Sequence, residues 1–183
     1  LQKALGRAYS MQHWALTMDE RVLLFQLWII LLLVYPARVV FPTDQVVASL
    51  KTIYHIALGT NSWGLTNEIL SLPKMEGGHD LPDPRTFLLW QFSTPFIHSI
   101  LHPHRIAPIV RRSFDDWAHT VGMIVTVNTL PYFQMGSNVV WDSLPFLGLS
   151  ARAFSLVRRN ITHPPPDTLV YDMPLWHNTF FAN

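Results

Sequence analysis

The stretch Val22 to Tyr35 decides most of what this chain can become. Its fourteen positions hold one polar residue, Gln26. Thr17 and Glu20 stand just before it at the spacing of a capping box, in which an N-cap threonine and a glutamate three residues on satisfy each other's free backbone donors. Asp19 and Glu20 put acid in the first turn, where the helix dipole favours it. Pro36 closes the stretch, since proline ends or kinks a helix. The pattern predicts a helix over 18–35, apolar enough to need cover from protein or lipid. A membrane span needs about 20 apolar residues. Reaching that length here means going on to Phe41 and taking in Pro36 and Arg38. The stretch therefore reads first as a core helix. A small membrane-associated helical protein, anchored by residues 22–41, is the alternative.

The neighbouring segments supply partners for such a core. Residues 2–15 have Ala4, Leu5, Ala8, Met11 and Ala15 on one helical face, and Lys3, Arg7, Ser10 and Trp14 on another. Thr43 caps a third helix over 44–58, with Val46, Val47, Leu50, Ile53, Tyr54 and Ala57 as its apolar stripe and Gly59 as its stop. The expected fold is mainly α: a small three-helix bundle over residues 1–60, then an irregular, partly helical C-terminal part. Residues 61–104 read as a loop with Trp63 and Gly77-Gly78, a helical turn within Thr66 to Leu72, and a fourth helix that starts at Asp83-Pro84 and kinks at Pro95. Gly77-Gly78 reads as a tight turn rather than a phosphate cradle, because Glu76 and Asp80 repel anions. Residues 105–163 are mixed and mostly helical, with helices over Ile106 to Gly122 and from Ser150 to about Arg159. Between these lie β-prone runs at Ile124–Val127 and Asn138–Trp141. Pro164-Pro165-Pro166 begins a spacer and tail over 164–183.

Charged residues make up 14% of the chain, against roughly 25% in ordinary soluble domains. With seven Trp as well, this composition, and a start at Leu1, suit a piece cut from a larger protein that covers its apolar surface. The net charge of +1 gives no general basic field, so any grip on nucleic acid must come from local stripes. Cysteine is absent, which removes disulfides, thiol catalysis and every Cys-containing zinc site. Residues 1–15 are too polar for a signal peptide, and no A-x-A-like cleavage site follows the apolar stretch. The expected location is intracellular, nuclear or cytoplasmic, and not secreted.

Catalytic patterns are lacking. There is no nucleophile elbow, P-loop or dinucleotide fingerprint. Asp115-Asp116 are adjacent, so on a helix they point about 100° apart and do not share one metal. His98, His102 and His104 have no acidic or Cys ligand beside them, and Pro103 interrupts the set. No catalytic residue, metal site or cofactor is assigned.

Order and spacing carry a further signal. Trp14, Leu16-Thr17 and Arg21 precede the apolar helix. A second helix ending at Gly59, then Trp63, Leu70-Ser71-Leu72-Pro73, Gly77-Gly78 and Leu81-Pro82 follow it. This succession, over about residues 1–102, resembles the region just after the palm of reverse transcriptases from non-LTR retrotransposons. Pro174-Leu175-Trp176-His177-Asn178 resembles a segment far downstream in such polyproteins. The resemblance implies a thumb-like bundle that grips a template–primer, with Lys3, Arg7, Trp14 and Arg21 as nucleic-acid-binding residues. The role of Arg21 is equally open to a structural reading, bonding carbonyls of the neighbouring loop. The implied partners are an RNA–DNA duplex and the missing palm of the same polyprotein, with the palm upstream of Leu1 and any Mg²⁺ belonging to it. The chain departs from the family pattern in lacking a palm and a terminal zinc knuckle, so a decayed element without function is a further reading.

Overall fold

The computed structural model describes residues 1–59, 65–101, 105–120, 122 and 145–157. Among them are seven helices and no strand. They are α1 (Gln2–Gln12), α2 (Met18–Ala37), α3 (Asp44–Leu58), α4 (Asn67–Ser71), α5 (Pro84–Leu101), α6 (Ala107–Thr120) and α7 (Pro145–Val157). A 3₁₀ turn occupies Lys74–Glu76. The expected mainly helical fold is thus found. Trp63, both β-prone runs and the Pro-rich spacer with its tail lie outside the described residues. The chain divides into two compact units, Leu1–Phe92 and Ser93–Asn183, with α5 running from the first into the second.

The first unit is built on α1, α2 and α3. Helix α1 buries Ala4, Ala8 and Met11 completely. The two alanines let it lie close to α3, its main neighbour, and it also meets the middle of α2. Helix α3 contributes Val47, Leu50, Ile53, Tyr54, Ala57 and Leu58 to the core. The Tyr54 ring meets Phe25 edge-on with centroids 4.5 Å apart, a geometry favoured by the ring quadrupoles. Its hydroxyl donates to the Pro82 carbonyl at 3.0 Å, so the one polar atom of this core ring is satisfied. Leu70, Leu81, Phe87 and Leu88 join the same core. The unit therefore extends well past residue 60, and its chain continues into α5.

Helix α2 is not a plain α-helix. Residues Phe25–Ile30 form a π segment, with the Leu31 N–H bonded to the Gln26 carbonyl five residues back. The burial pattern explains its place. Val22, Phe25, Ile29, Leu33 and Ala37 are buried, so the last three steps are each four residues. In an α-helix each such step carries the stripe about 40° further round the axis. The wider π turn advances less per residue and winds the stripe back toward α1 and α3. One face of α2 is thereby core. The opposite face, Leu23, Leu27, Leu31 and Tyr35, is exposed.

Helix ends follow local chemistry. The capping box is complete: the Thr17 N–H donates to Glu20 Oε2 at 2.8 Å, and the Thr17 hydroxyl oxygen accepts from the Glu20 N–H at 3.4 Å. Thr43 caps α3 through the Val46 N–H, and Gly59 ends it in the left-handed region at φ 69°. Asp83 Oδ2 accepts from the Thr86 N–H at 2.9 Å and starts α5 just before Pro84. Between α4 and α5 the chain folds back on itself. The Asp80 N–H reaches the Leu72 carbonyl at 2.9 Å and the Leu81 N–H reaches that of Leu70 at 3.0 Å. The expected tight turn at Gly77-Gly78 sits inside this closure, with Gly77 at φ 81°. A Cβ on Gly78 would lie 2.0 Å from the Leu72 carbonyl oxygen, so no side chain fits there.

Several helix boundaries differ from expectation: α2 runs through Pro36 to Ala37 rather than closing at 35, α6 begins at Ala107 rather than Ile106, and two others shift further. Helix α1 stops at Gln12 rather than 15, because the Trp14 ring turns away to stack on Trp28. Helix α7 begins at Pro145 rather than Ser150. Proline is suited to the first helical position, and Ser150 lies buried inside the helix. In the second unit, α6 buries Ala107, Phe114, Trp117 and Ala118. The Phe114 ring packs 5.6 Å from Phe96 and 5.5 Å from Trp117.

Two substitutions check this packing by urea denaturation. Phe25→Ala is expected to lower stability by about 3–5 kcal/mol through the cavity it opens. Gly78→Ala is expected to cost ~2 kcal/mol through the clash with Leu72. Wild-type midpoints in both variants would contradict the packing described.

Candidate nucleic-acid interface

The four residues singled out for nucleic acid lie in one region of the first unit, at α1 and the start of α2, but they do not share one surface. Lys3 is exposed on α1. Its outward face continues through Gly6 and Ser10, both exposed, to His13 at the helix end. The Ser10 hydroxyl donates to the Gly6 carbonyl at 3.1 Å. A Cβ on Gly6 would meet nothing within 4 Å. This face is polar, built of small residues and open to close approach.

Arg7 turns from that face toward α2. Its Nη1 donates to the Trp28 carbonyl, and its guanidinium carbon lies 5.1 Å from the Trp28 ring centroid. The acceptor sits inside the π segment, where a shift between bonding patterns can leave a carbonyl short of a donor. Trp14, expected on the α1 stripe, is instead in the α1–α2 link. Its ring stacks on Trp28 at 5.3 Å with 15° between planes, and it remains 40% exposed. Arg7, Trp28 and Trp14 thus form one cation–aromatic cluster.

Arg21 has the structural role that the sequence left open. Its Nε donates to the Leu16 carbonyl at 3.3 Å, and its Nη1 to the Met11 and Ala57 carbonyls, each at 3.3 Å. Its Nη2 donates to the Trp14 carbonyl at 2.9 Å. Met11 and Ala57 sit at the C-terminal ends of α1 and α3, where carbonyls lack intrahelical partners and the dipole end is negative. One guanidinium therefore ties two helix ends and the link between helices to the first turn of α2.

The remaining candidates are dispersed. Asp115 and Asp116 are both exposed, and Asp116 lies 3.9 Å from Arg112. His98 is exposed on α5. His102, His104 and Trp176 lie outside the described residues. No grouping of three His, Asp or Glu suited to a metal occurs among the described residues. One feature escaped the sequence: an open cleft of about 530 Å³ lined by Lys51, Thr66, Asn67, Glu68, Ser71 and Asp83. Asn67 Nδ2 meets His55 Nε2 at 3.2 Å, while its Oδ1 is buried without a partner among the protein atoms. The lining mixes both charge signs and comes from separate segments, so no linear motif announces it.

The Thr17 backbone N–H, then its hydroxyl, hold the Glu20 carboxyl below its usual 4.5. A carboxyl lowered in the folded state contributes stability that is present above its unfolded value and lost as pH falls through its folded one. Thermal melts are expected to show the Glu20→Gln variant approaching wild type as pH drops below 4.5. A difference unchanged over that range would contradict the ionic capping box. Arg21→Lys is expected to lower stability by about 2 kcal/mol, because an ammonium cannot reach the same spread of carbonyls. An unaltered denaturation midpoint would contradict the tie. Comparison with protein-family models, with curated proteins and with solved structures finds no match for this chain.

Proposed function

We propose that the first unit is the thumb-like part of a non-LTR retrotransposon reverse transcriptase and holds an RNA–DNA duplex for a catalytic palm elsewhere in the same polyprotein. The observation that carries the proposal is the outward face of α1. Lys3 supplies a cation, Gly6 and Ser10 let a phosphate backbone come close to the helix, and Trp14 stands half-exposed just beyond its end. Contacts of this kind position a duplex without reading its sequence. The order of motifs from Trp14 to Pro82 supports the family assignment. Arg7 and Arg21 act through the fold: one holds α2 beside α1, and the other holds the link that presents Trp14.

Two-metal nucleotidyl transfer requires a carboxylate set, and this chain assigns none. Its role is therefore non-catalytic, and any Mg²⁺ belongs with the palm. Chain supplied with template, primer and Mg²⁺ is expected to give no extension. Extension abolished by Asp115→Ala would overturn that assignment.

Fluorescence anisotropy with a labelled RNA–DNA duplex tests the grip. Binding is expected to be weak, indifferent to sequence and steeply salt-dependent. Lys3→Ala should flatten the log–log salt slope by about one unit, as expected for one lost phosphate contact. Combining it with Arg7→Ala should weaken binding further. No affinity at low salt from a folded sample would overturn the proposal.

A further inference from the structure

Helix α2 presents a second face for which the duplex reading has no use. Asp19, Leu23, Leu27, Leu31 and Tyr35 follow one another every four residues along one side, and Val39 comes four residues further on, in the turn just past the helix. All six are exposed, the apolar ones from 57% at Leu23 to 75% at Tyr35. With Val40 beside them, roughly 700 Å² of residue surface is uncovered, just above the ~300–600 Å² of the largest apolar patch on a typical monomer. That is close to the ~800 Å² that each partner gives to a standard interface.

We infer that this face pairs with the same face of a second copy, α2 against α2, in antiparallel fashion about a twofold axis. The pattern of the stripe supports this. Turned end for end about its midpoint, it sets Leu27 opposite Leu31 of the second copy and Leu23 opposite Tyr35, so apolar meets apolar at the four inner positions. The same operation sets Asp19 and Glu20 beside Arg38 and Val39 of the second copy. A parallel pair would instead bring acid to acid and arginine to arginine. Antiparallel pairing also opposes the two helix dipoles. A twofold interface needs such a self-complementary patch.

Arg38 is placed for this. It caps the C-terminal end of α2, its Nε lies 3.4 Å from Gln91 Oε1, and its guanidinium carbon is 5.8 Å from the Tyr35 ring centroid. The cation is thus held at the end of the stripe, next to the aromatic that ends the apolar run. The opposite end begins with Asp19, which carries exposed negative charge in the first turn. The buried face, with Phe25, Ile29 and Leu33, is engaged by the core, so pairing asks for no rearrangement of the bundle.

Sedimentation velocity of the full chain over a range of concentrations tests the inference. The expected result is a reversible rise from 21.0 kDa toward twice that mass. Leu27→Lys should hold the chain monomeric, with far-UV circular dichroism and a cooperative melt like wild type. Leu31→Gln is the milder second variant and should weaken association at least tenfold. Asp19→Arg should weaken it several-fold, and adding Arg38→Asp should recover most of that loss, since the twofold makes each rim pair count twice. A chain that stays monomeric at every concentration overturns the inference, as does association untouched by Leu27→Lys. If the charge exchange recovers nothing, the antiparallel register is overturned. Flotation with neutral phosphatidylcholine vesicles is the competing outcome. Leu27-dependent vesicle binding by a chain that stays monomeric in solution would assign the stripe to lipid instead.

Discussion

The first unit depends on the guanidinium of Arg21. Three helices meet at its side chain, and the chain between α1 and α2 turns around it. Each carbonyl it serves lies at a helix end or in a link, where the backbone has no ladder to complete. The Met11 and Trp14 carbonyls also accept the Trp14 and Leu16 N–H groups, at 3.2 and 2.9 Å, and hydrogen bonds from a charged donor contribute about 1.5–3 kcal/mol, a sizeable fraction of a small domain's stability. An arginine suits the position because its planar fork offers five donors in fixed directions. The geometry also explains why α2 starts where it does. Thr17 and Glu20 complete their own capping box one turn before, which leaves Arg21 free to point back across the link.

The same helix has two further demands on it. Its core face must stay buried over its whole length, and the π segment serves this by easing the winding through Phe25–Ile30. That segment carries Trp28, the residue that gathers Arg7 and Trp14. A cation, two indoles and a carbonyl in the π segment then fix the entry of the chain into α2. The apolar residues left on the far side are the consequence of placing fourteen nearly continuous apolar positions on one helix. A bundle of this size covers one side of such a helix and leaves the other for something else.

Much of this was legible in the amino-acid order. Thr17 with Glu20, Thr43, Gly59 and Asp83-Pro84 mark helix ends through chemistry confined to four or five residues, and those ends lie where the residues indicate. The Gly77-Gly78 turn was readable for the same reason. What could not be read depends on contacts between distant segments. Trp14 continues the α1 pattern in sequence, yet its stacking on Trp28 pulls it out of the helix. Arg7 looks like a surface cation one turn from Lys3, and only the nearness of the π segment turns it inward. Arg21 was readable in kind but not in extent, since Ala57 is thirty-six residues away. The cleft at Lys51 and Asp83 draws on three segments and has no linear sign.

If the bundle serves a polymerase as proposed, its value lies in holding α1 firmly enough for an exposed polar face to meet a duplex. That firmness rests on Arg21, and nuclear magnetic resonance can observe its guanidinium directly. In ¹⁵N-detected spectra of the folded chain, the Arg21 Nε–H is expected to be resolved, shifted and slow to exchange with water, with hindered rotation about its Cζ–N bonds. Arg112, whose side chain is 87% exposed, serves as the internal reference and should show averaged, fast-exchanging signals. An Arg21 guanidinium that exchanges and rotates as freely as that of Arg112 would contradict the account.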